Sequence, residues 1–259
     1  MQVRMMRVNR VAERRYVTAL SGALAALHAR MVEVLTPIGK AITAGRGDAA
    51  RPESADYRRA ARNVLDQALP QVKARATGAH VALEGALTAS FKASMDKILP
   101  IVFTQLPANV RAAAAVKRVE SIEYVTKAAR DYADQVVSVF EDVESNFGIR
   151  WEVLEKRLRE RSDVSKSRAE LIARDQTGKL NGAIQKASQT AAGVTQYKWA
   201  TAGDERVRES HDELDGEVFD WNGPGAPGIG HPGDDFQCRC TPLPILPGDE
   251  EYQETEEDA

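Results

Sequence analysis

The run VTALSGALAALHARMVEVLTPI (residues 17–38) sets the fold class. Val17, Leu20, Leu24, Leu27, Met31, Val34 and Ile38 alternate spacings of three and four, an apolar seam at positions a and d of a helical heptad. A half-buried strand would need alternation by two. The same stepping recurs at Ile122, Val125, Ala129, Tyr132, Val136, Val139 and Val143. Around these seams the punctuation of a helical protein can be placed. Pro37 and Gly39 predict a stop or kink, and AGRGDAARPES (44–54) reads as a loop. Ser54 or Asp56 can cap a second helical region reaching about Leu99, divided or ended by Pro70 and Pro100. LPAN (106–109) connects it to a third helix, from about Val110 to Asn146, which Gly148 ends. A short helix over 150–161 carries Trp151, Leu154 and Leu158 on one face. Another over 166–191 carries Leu171, Ile172, Leu180, Ile184 and Ala187, and Gly193 stops it. Such seams suit an ordinary bundle or an extended arm packed on partner subunits, and spacing alone does not choose between them.

Composition agrees with helices. Aromatics are 6% of the 259 residues, so the core is built from small and aliphatic side chains. Charge is uneven. Residues 201–259 hold three arginines against 17 acidic residues, net −14, which leaves 32 basic and 21 acidic residues, net +11, in residues 1–200. The basic part can serve as solvated helix faces or meet nucleic acid or an acidic protein surface. Two cysteines separated by one residue make no secreted disulfide framework. Arg14–Arg15 before YVTALSGALAALHA (16–29) has helical apolar spacing rather than the layout of a signal peptide, and no apolar run approaches the roughly 18 residues of a membrane span. The expectation is a chain made in the cytoplasm with no membrane partner.

After Gly193 the period changes. TQYKWAT (195–201) alternates Tyr197 and Trp199 with polar neighbours, as a strand does. Asp204 can cap a short helix, 205–214, with Val207, His211 and Leu214 on one face. Asp215–Gly216 is a turn, EVFDW (217–221) a second strand, and NGPGAPGIGHPGDD (222–235) irregular by composition. CRCTPLPIL (238–246) reads as extended, its prolines favouring an edge, and GDEEYQETEEDA (248–259) as a disordered acidic tail. The fold class is therefore mainly α, with long seam-bearing helices followed by a small C-terminal α+β module. The expected divisions are 1–149, 150–247 and 248–259.

Four potential metal ligands lie in that module: His211, His231, Cys238 and Cys240. Cysteines two apart in an extended segment project to one side, and His211 projects inward from its helix. Two thiolates and two imidazoles form the ligand set of a tetrahedral structural zinc site, and a Gly/Pro-rich segment with few apolar anchors needs such a clip to fold. Three readings stay open: a four-ligand zinc site, which Asp234 or Asp235 could complete in place of His231, a partial site, and plain packing and hydrogen-bonding groups. An enzyme reading has less support. His211-Asp212-Glu213 offers the H-x-E of zinc nucleobase deaminases, but the cysteines are one residue apart rather than two and Gln237 stands where proline is expected. No G-x-x-x-x-G-K-[ST], G-x-S-x-G or H-E-x-x-H occurs.

From about Arg168 to Leu246 the chain resembles the Mu F-type minor head proteins of tailed bacteriophages, also called head morphogenesis proteins. The resemblance is carried by AELIARDQTGKLNGAIQKA (169–187), YKWATAGDERVRESHDELDGEVF (197–219) and GHPGDDFQCRCTPLPIL (230–246). In order, Asp204, Arg206, Arg208, His211, Leu214, Gly216, His231, Pro232, Cys238, Arg239 and Cys240 fit the family pattern. The five residues 233–237 make the run between His-Pro and C-R-C longer than that pattern's. The resemblance implies a non-enzymatic virion component, present in few copies and taken into the head through the portal protein and other head proteins. It also implies roles in maturation or genome ejection; the seams add an expectation of oligomerisation, and the basic balance of residues 1–200 one of nonspecific contact with packaged double-stranded DNA. The alternative is a metal-dependent enzyme or toxin-type module acting on nucleic acid.

Overall fold

A computed structural model describes residues 9–43, 54–98, 107–145, 151–246 and 249. Residues 44–53 of the loop expected over 44–54, the break at Pro100, the stop at Gly148 and nearly all of the acidic tail lie outside the described residues. Four long helices come first: α1 (Arg10–Thr43), α2 (Ser54–Ile98), α3 (Ala108–Ser145) and α4 (Trp151–Ala191). They are followed by β1 (Gln196–Ala200), the one-turn α5 (Glu209–Asp212), β2 (Val218–Asp220) and β3 (Thr241–Ile245). The mainly α class with a small C-terminal α+β module is thus the observed one.

Several sequence expectations need correction. Pro37 and Pro70 end nothing; each lies inside a continuous helix. Both prolines are exposed, as are Glu33 and Asp66 four residues before them, so the carbonyls freed of a backbone donor lie on the wetted face. Leu35 and Val72, just beside the prolines, stay buried and hold the helices to the core. The two helices expected over 150–161 and 166–191 are one helix of 41 residues. Its polar middle carries buried Ser165 and Ala169, so packing continues through the expected break. Leu171, expected on the buried face, is 46% exposed.

The α1 seam is right at its centre and drifts at its ends. The buried positions are Tyr16, Leu20, Leu24, Leu27, Met31 and Leu35, with Val17, Val34 and Ile38 only half-buried. Steps of mostly four keep pace with a nearly straight helix of 3.6 residues per turn rather than a left-handed supercoil. Asn9 caps this helix, its Oδ1 accepting from the Val11 and Ala12 amides at 3.2 and 3.1 Å. Within residues 10–41, an 18-residue window reaches a mean hydropathy of 1.2, enough by length and composition for a membrane span. This corrects the expectation that no run comes near that threshold. The helix nonetheless has a buried stripe with specific polar partners, Tyr16 on Ser121 and His28 on Tyr132.

The chain divides into two compact units whose boundaries cut across the helices. One comprises residues 15–80 and 120–173. Its core combines Tyr16, Leu20, Leu27 and Met31 with Tyr57, Tyr132, Phe140 and Leu154, and Tyr57 stacks on Phe140 at 5.4 Å. The other comprises residues 1–14, 81–119 and 174–259 and contains the second half of α4 with the sheet. The sheet is antiparallel in the order β2-β1-β3. Tyr197 pairs with Phe219 on one side and Pro244 on the other, and Pro242 and Pro244 sit on an edge strand as proline requires. Val194, Tyr197, Trp199, Trp221, Ala226, Cys238 and Cys240 form one buried cluster around β1.

Candidate metal centre

The second half of α4 is the spine on which the irregular segment is laid. Gly178 and Gly182 lie one turn apart, facing the 232–238 loop. A Cβ on Gly178 would come within 2.8 Å of the Cys238 carbonyl oxygen, and one on Gly182 within 2.5 Å of that of Pro232. Only glycine lets backbone approach helix this closely. Polar side chains from the same helix pin the loop and the edge strand. Asp175 Oδ1 accepts from the Gln237 amide at 2.9 Å. Gln189 donates to the Pro242 carbonyl and accepts from the Trp221 indole, both at 3.0 Å. The expected helix at 205–214 shrinks to one turn, Glu209–Asp212, preceded by a separate turn that Asp204 opens. Its carboxylate takes the Arg206 amide at 3.1 Å and both Arg239 nitrogens at 2.5 and 2.6 Å. Arg239 holds the Asp204 carboxyl down to about 2.

This scaffold brings His211, Cys238 and Cys240 together, all buried and with ligand atoms within 4.8 Å of one another. His211 Nδ1 lies 3.4 Å from Cys240 Sγ and 3.7 Å from Cys238 Sγ. Zinc bonds of about 2.3 Å to sulfur and 2.0–2.1 Å to nitrogen at a tetrahedral angle imply N···S separations of about 3.6 Å. The two observed distances bracket that value, so the histidine–sulfur spacings suit zinc. They also suit a thiol–imidazole hydrogen-bond cluster.

The surroundings favour the thiolate at Cys238 and the thiol at Cys240. His211 Nε2 lies 3.0 Å from Asp235 Oδ2 and 3.3 Å from an Arg208 guanidinium nitrogen; with the ring proton on Nε2, shared with Asp235, the Nδ1 lone pair would face the sulfurs. Arg208 braces that carboxylate at 2.5 Å and also donates to the Phe236 carbonyl. Burial works against the Asp235 charge, but the Phe236 amide, His211 and Arg208 outweigh it and lower its pKa. The Gly233 amide donates to Cys238 Sγ at 3.4 Å. The Cys238 thiol is pulled down to about 6, chiefly by the hydrogen bond from Cys240, against the effect of burial. Cys240 is pushed up by that bond and by burial, while the Trp199 indole beside it works the other way. Two thiols that share one proton this way release it when a divalent cation arrives.

His231 is not brought to this group. Its Nδ1 is 2.8 Å from the Tyr197 hydroxyl, and its ring packs on Tyr197 and Trp221 at 5.7 and 5.0 Å. Burial and Lys186 lower its pKa. Asp234, the other candidate for the fourth ligand, accepts from the His231 amide at 2.9 Å, and Asp235 orients His211. Sequence reasoning missed the roles of Gly178, Gly182, Asp175 and Gln189. Two glycines four apart inside an otherwise helical run were the available signal.

Residues 145–243 match the family described as phage Mu protein F like protein. The match bears out the resemblance, begins before α4, and contains His211, His231, Cys238 and Cys240. An uncharacterized protein of Haemophilus influenzae (strain ATCC 51907 / DSM 11121 / KW20 / Rd) is 42% identical over 98 residues. That stretch is 38% of this chain and 22% of the relative, so the chain spans about a fifth of that protein's length. No solved structure matches.

Proposed function

We propose that this chain is a phage head protein that acts in head morphogenesis through contacts with the portal and other head proteins, as a virion component rather than an enzyme. The phage Mu F-like match over residues 145–243 carries the reading. In this reading residues 150–247 form the head-morphogenesis module and residues 1–149 the helical assembly region, oligomeric in the head. The +11 balance of residues 1–200 supports weak, nonspecific contact with packaged DNA. Genome ejection is a further step in which such a contact would serve.

Within the module, His211, Cys238 and Cys240 hold a structural zinc. The metal would supply the cross-link that a loop rich in glycine and proline lacks, tying α5 to the residues that lead into β3. The competing reading, a metal-dependent enzyme acting on nucleic acid, would need an acid/base group at the metal. Glu213, the acid of the H-x-E string, is exposed.

The test is to purify proheads and virions from a lysogen or infection that encodes this chain and identify it by quantitative mass spectrometry. The reading expects a few copies per particle, enriched with the portal after mild disruption. A chain absent from particles, or found only free in the lysate, contradicts it.

A further inference from the structure

We infer that copies of this chain associate head to tail, the exposed Phe236 ring of one copy entering the groove between α1 and α2 of a second copy. This deepens the oligomeric assembly proposed above and is independent of the zinc reading.

The knob comes from the 232–238 loop. Phe236 is 55% exposed, although a phenyl ring has much to gain from burial. The backbone that carries it is tied at three points. Asp235 Oδ1 accepts from the Phe236 amide at 2.7 Å, Arg208 donates to the Phe236 carbonyl, and Asp175 Oδ1 accepts from the Gln237 amide at 2.9 Å. Gln237 itself sits at φ 56°, a region that residues other than glycine seldom enter. The ring is thus held out to solvent on a fixed backbone, which lowers the ordering cost of binding. It stands in an acidic surface: residues 201–246 hold Arg206, Arg208 and Arg239 against ten acidic residues, a net of −7.

The hole lies in the helical unit. Leu27, Val64 and Val72, all buried, floor a groove of about 390 Å³. Ala26 and Ala68 on its walls are too small to close it. Arg30 and Arg75, both exposed, stand on the rim, and no acidic residue lines the groove. Arg30 pairs with Glu33 at 2.7 Å, an exposed i,i+3 pair that holds its guanidinium weakly. The groove is therefore apolar at its base and basic at its mouth, the complement of an apolar ring in an acidic surface. Such charge complementarity fixes which surfaces meet.

Size sets the strength of this contact and its geometry sets the form. A phenylalanine buries roughly 150–250 Å². A stable interface buries about 1,200–2,000 Å² in total. One knob in one groove is thus a weak contact, populated where copies are concentrated, as in an assembling particle. Knob and groove are different surfaces, so the contact is heterologous and propagates into rings or open chains rather than closing as a two-fold pair.

The experiment uses the full chain. Sedimentation from about 10 µM to about 1 mM should show association that grows past a dimer and weakens as salt is raised. Phe236→Asp should weaken it at least about tenfold, and so should Ala68→Phe, which fills the groove from its own side. Phe236→Ser serves as a second knob variant should the added charge disturb Arg208. Thermal melts check that each variant is folded. The photo-cross-linker p-benzoylphenylalanine at position 236, in a mixture of heavy-isotope-labelled and unlabelled chains, should join labelled to unlabelled copies at residues 23–30 or 64–75. A chain that stays monomeric over the whole range, or association that neither the knob nor the groove variants alter, would overturn the inference. Cross-links confined to single chains would also overturn it, since the ring would then seat in its own copy. Association that persists with cross-links elsewhere would overturn this contact and leave the oligomeric reading standing.

Discussion

Replacing Gly182 with alanine should destabilise the protein, although alanine is the better helix former. In an open helix position the change gains up to about 1 kcal/mol. At Gly182 the new Cβ would stand 2.5 Å from the Pro232 carbonyl oxygen and 3.2 Å from the Gly233 Cα. Both contacts are backbone, so no side chain can swing away. Restoring ordinary contact requires the loop to move by most of an ångström, and overpacking of this kind costs about 1–3 kcal/mol. The loop's anchors also suffer, because the Gly233 amide bonds Cys238 Sγ and the Gln237 amide bonds Asp175. With the propensity gain subtracted, the expected net loss is about 1–2 kcal/mol. Gly85 supplies the control. It is exposed and helical, and nothing lies within 4 Å of its Cβ position, so Gly85→Ala should stabilise by about 0.5–1 kcal/mol. Urea denaturation of both variants, followed by tryptophan fluorescence, reads the difference. A stabilised or unchanged Gly182→Ala would refute the close packing of loop on helix.

Cys238→Ser should lose zinc and make residues 195–246 sensitive to limited proteolysis, because a structural zinc contributes about 10–16 kcal/mol to folding and exceeds the usual stability of a domain. Protection equal to wild type would contradict the clip. Arg239 lowers the folded-state pKa of Asp204 to about 2, so the contribution of this pair is complete above about pH 4 and fades as pH falls toward 2. Asp204→Asn should therefore lower stability near neutrality and flatten the acid limb between pH 4 and pH 2, a slope measurable by thermal melts across that range. Binding of the full chain to long double-stranded DNA should be weak, indifferent to sequence and steeply weakened by salt, as filter binding from 50 to 200 mM salt would show. An affinity unchanged over that range would exclude a phosphate-driven contact.

The helical class was legible because α1 and α3 carry their apolar residues in steps of three and four over many turns. The strands were legible because Tyr197 and Trp199 alternate with polar neighbours and the prolines of β3 demand an edge. What failed was local punctuation. Pro37 and Pro70 looked like stops, but their exposed positions let water meet the freed carbonyls while the opposite face stayed packed. At the candidate site, the thiols two apart and the inward-facing His211 followed from the period of each segment. His231 and Asp235 did not, because the path of residues 222–237 has no period. Whether a loop histidine meets a sulfur or a tyrosine depends on how closely the loop lies on α4. Gly178 and Gly182 decide that, and their contacts are invisible until the loop is placed.

The most direct test of the central claim is the zinc content of the full chain, purified without affinity tags that bind metal, by inductively coupled plasma mass spectrometry. The account predicts one zinc per chain in the wild type and less than about a tenth of that in His211→Ala and Cys238→Ser, which each remove one of three ligands. A wild-type chain that folds fully, resists protease and carries no stoichiometric metal would contradict it, leaving His211, Cys238 and Cys240 as a buried hydrogen-bonded cluster.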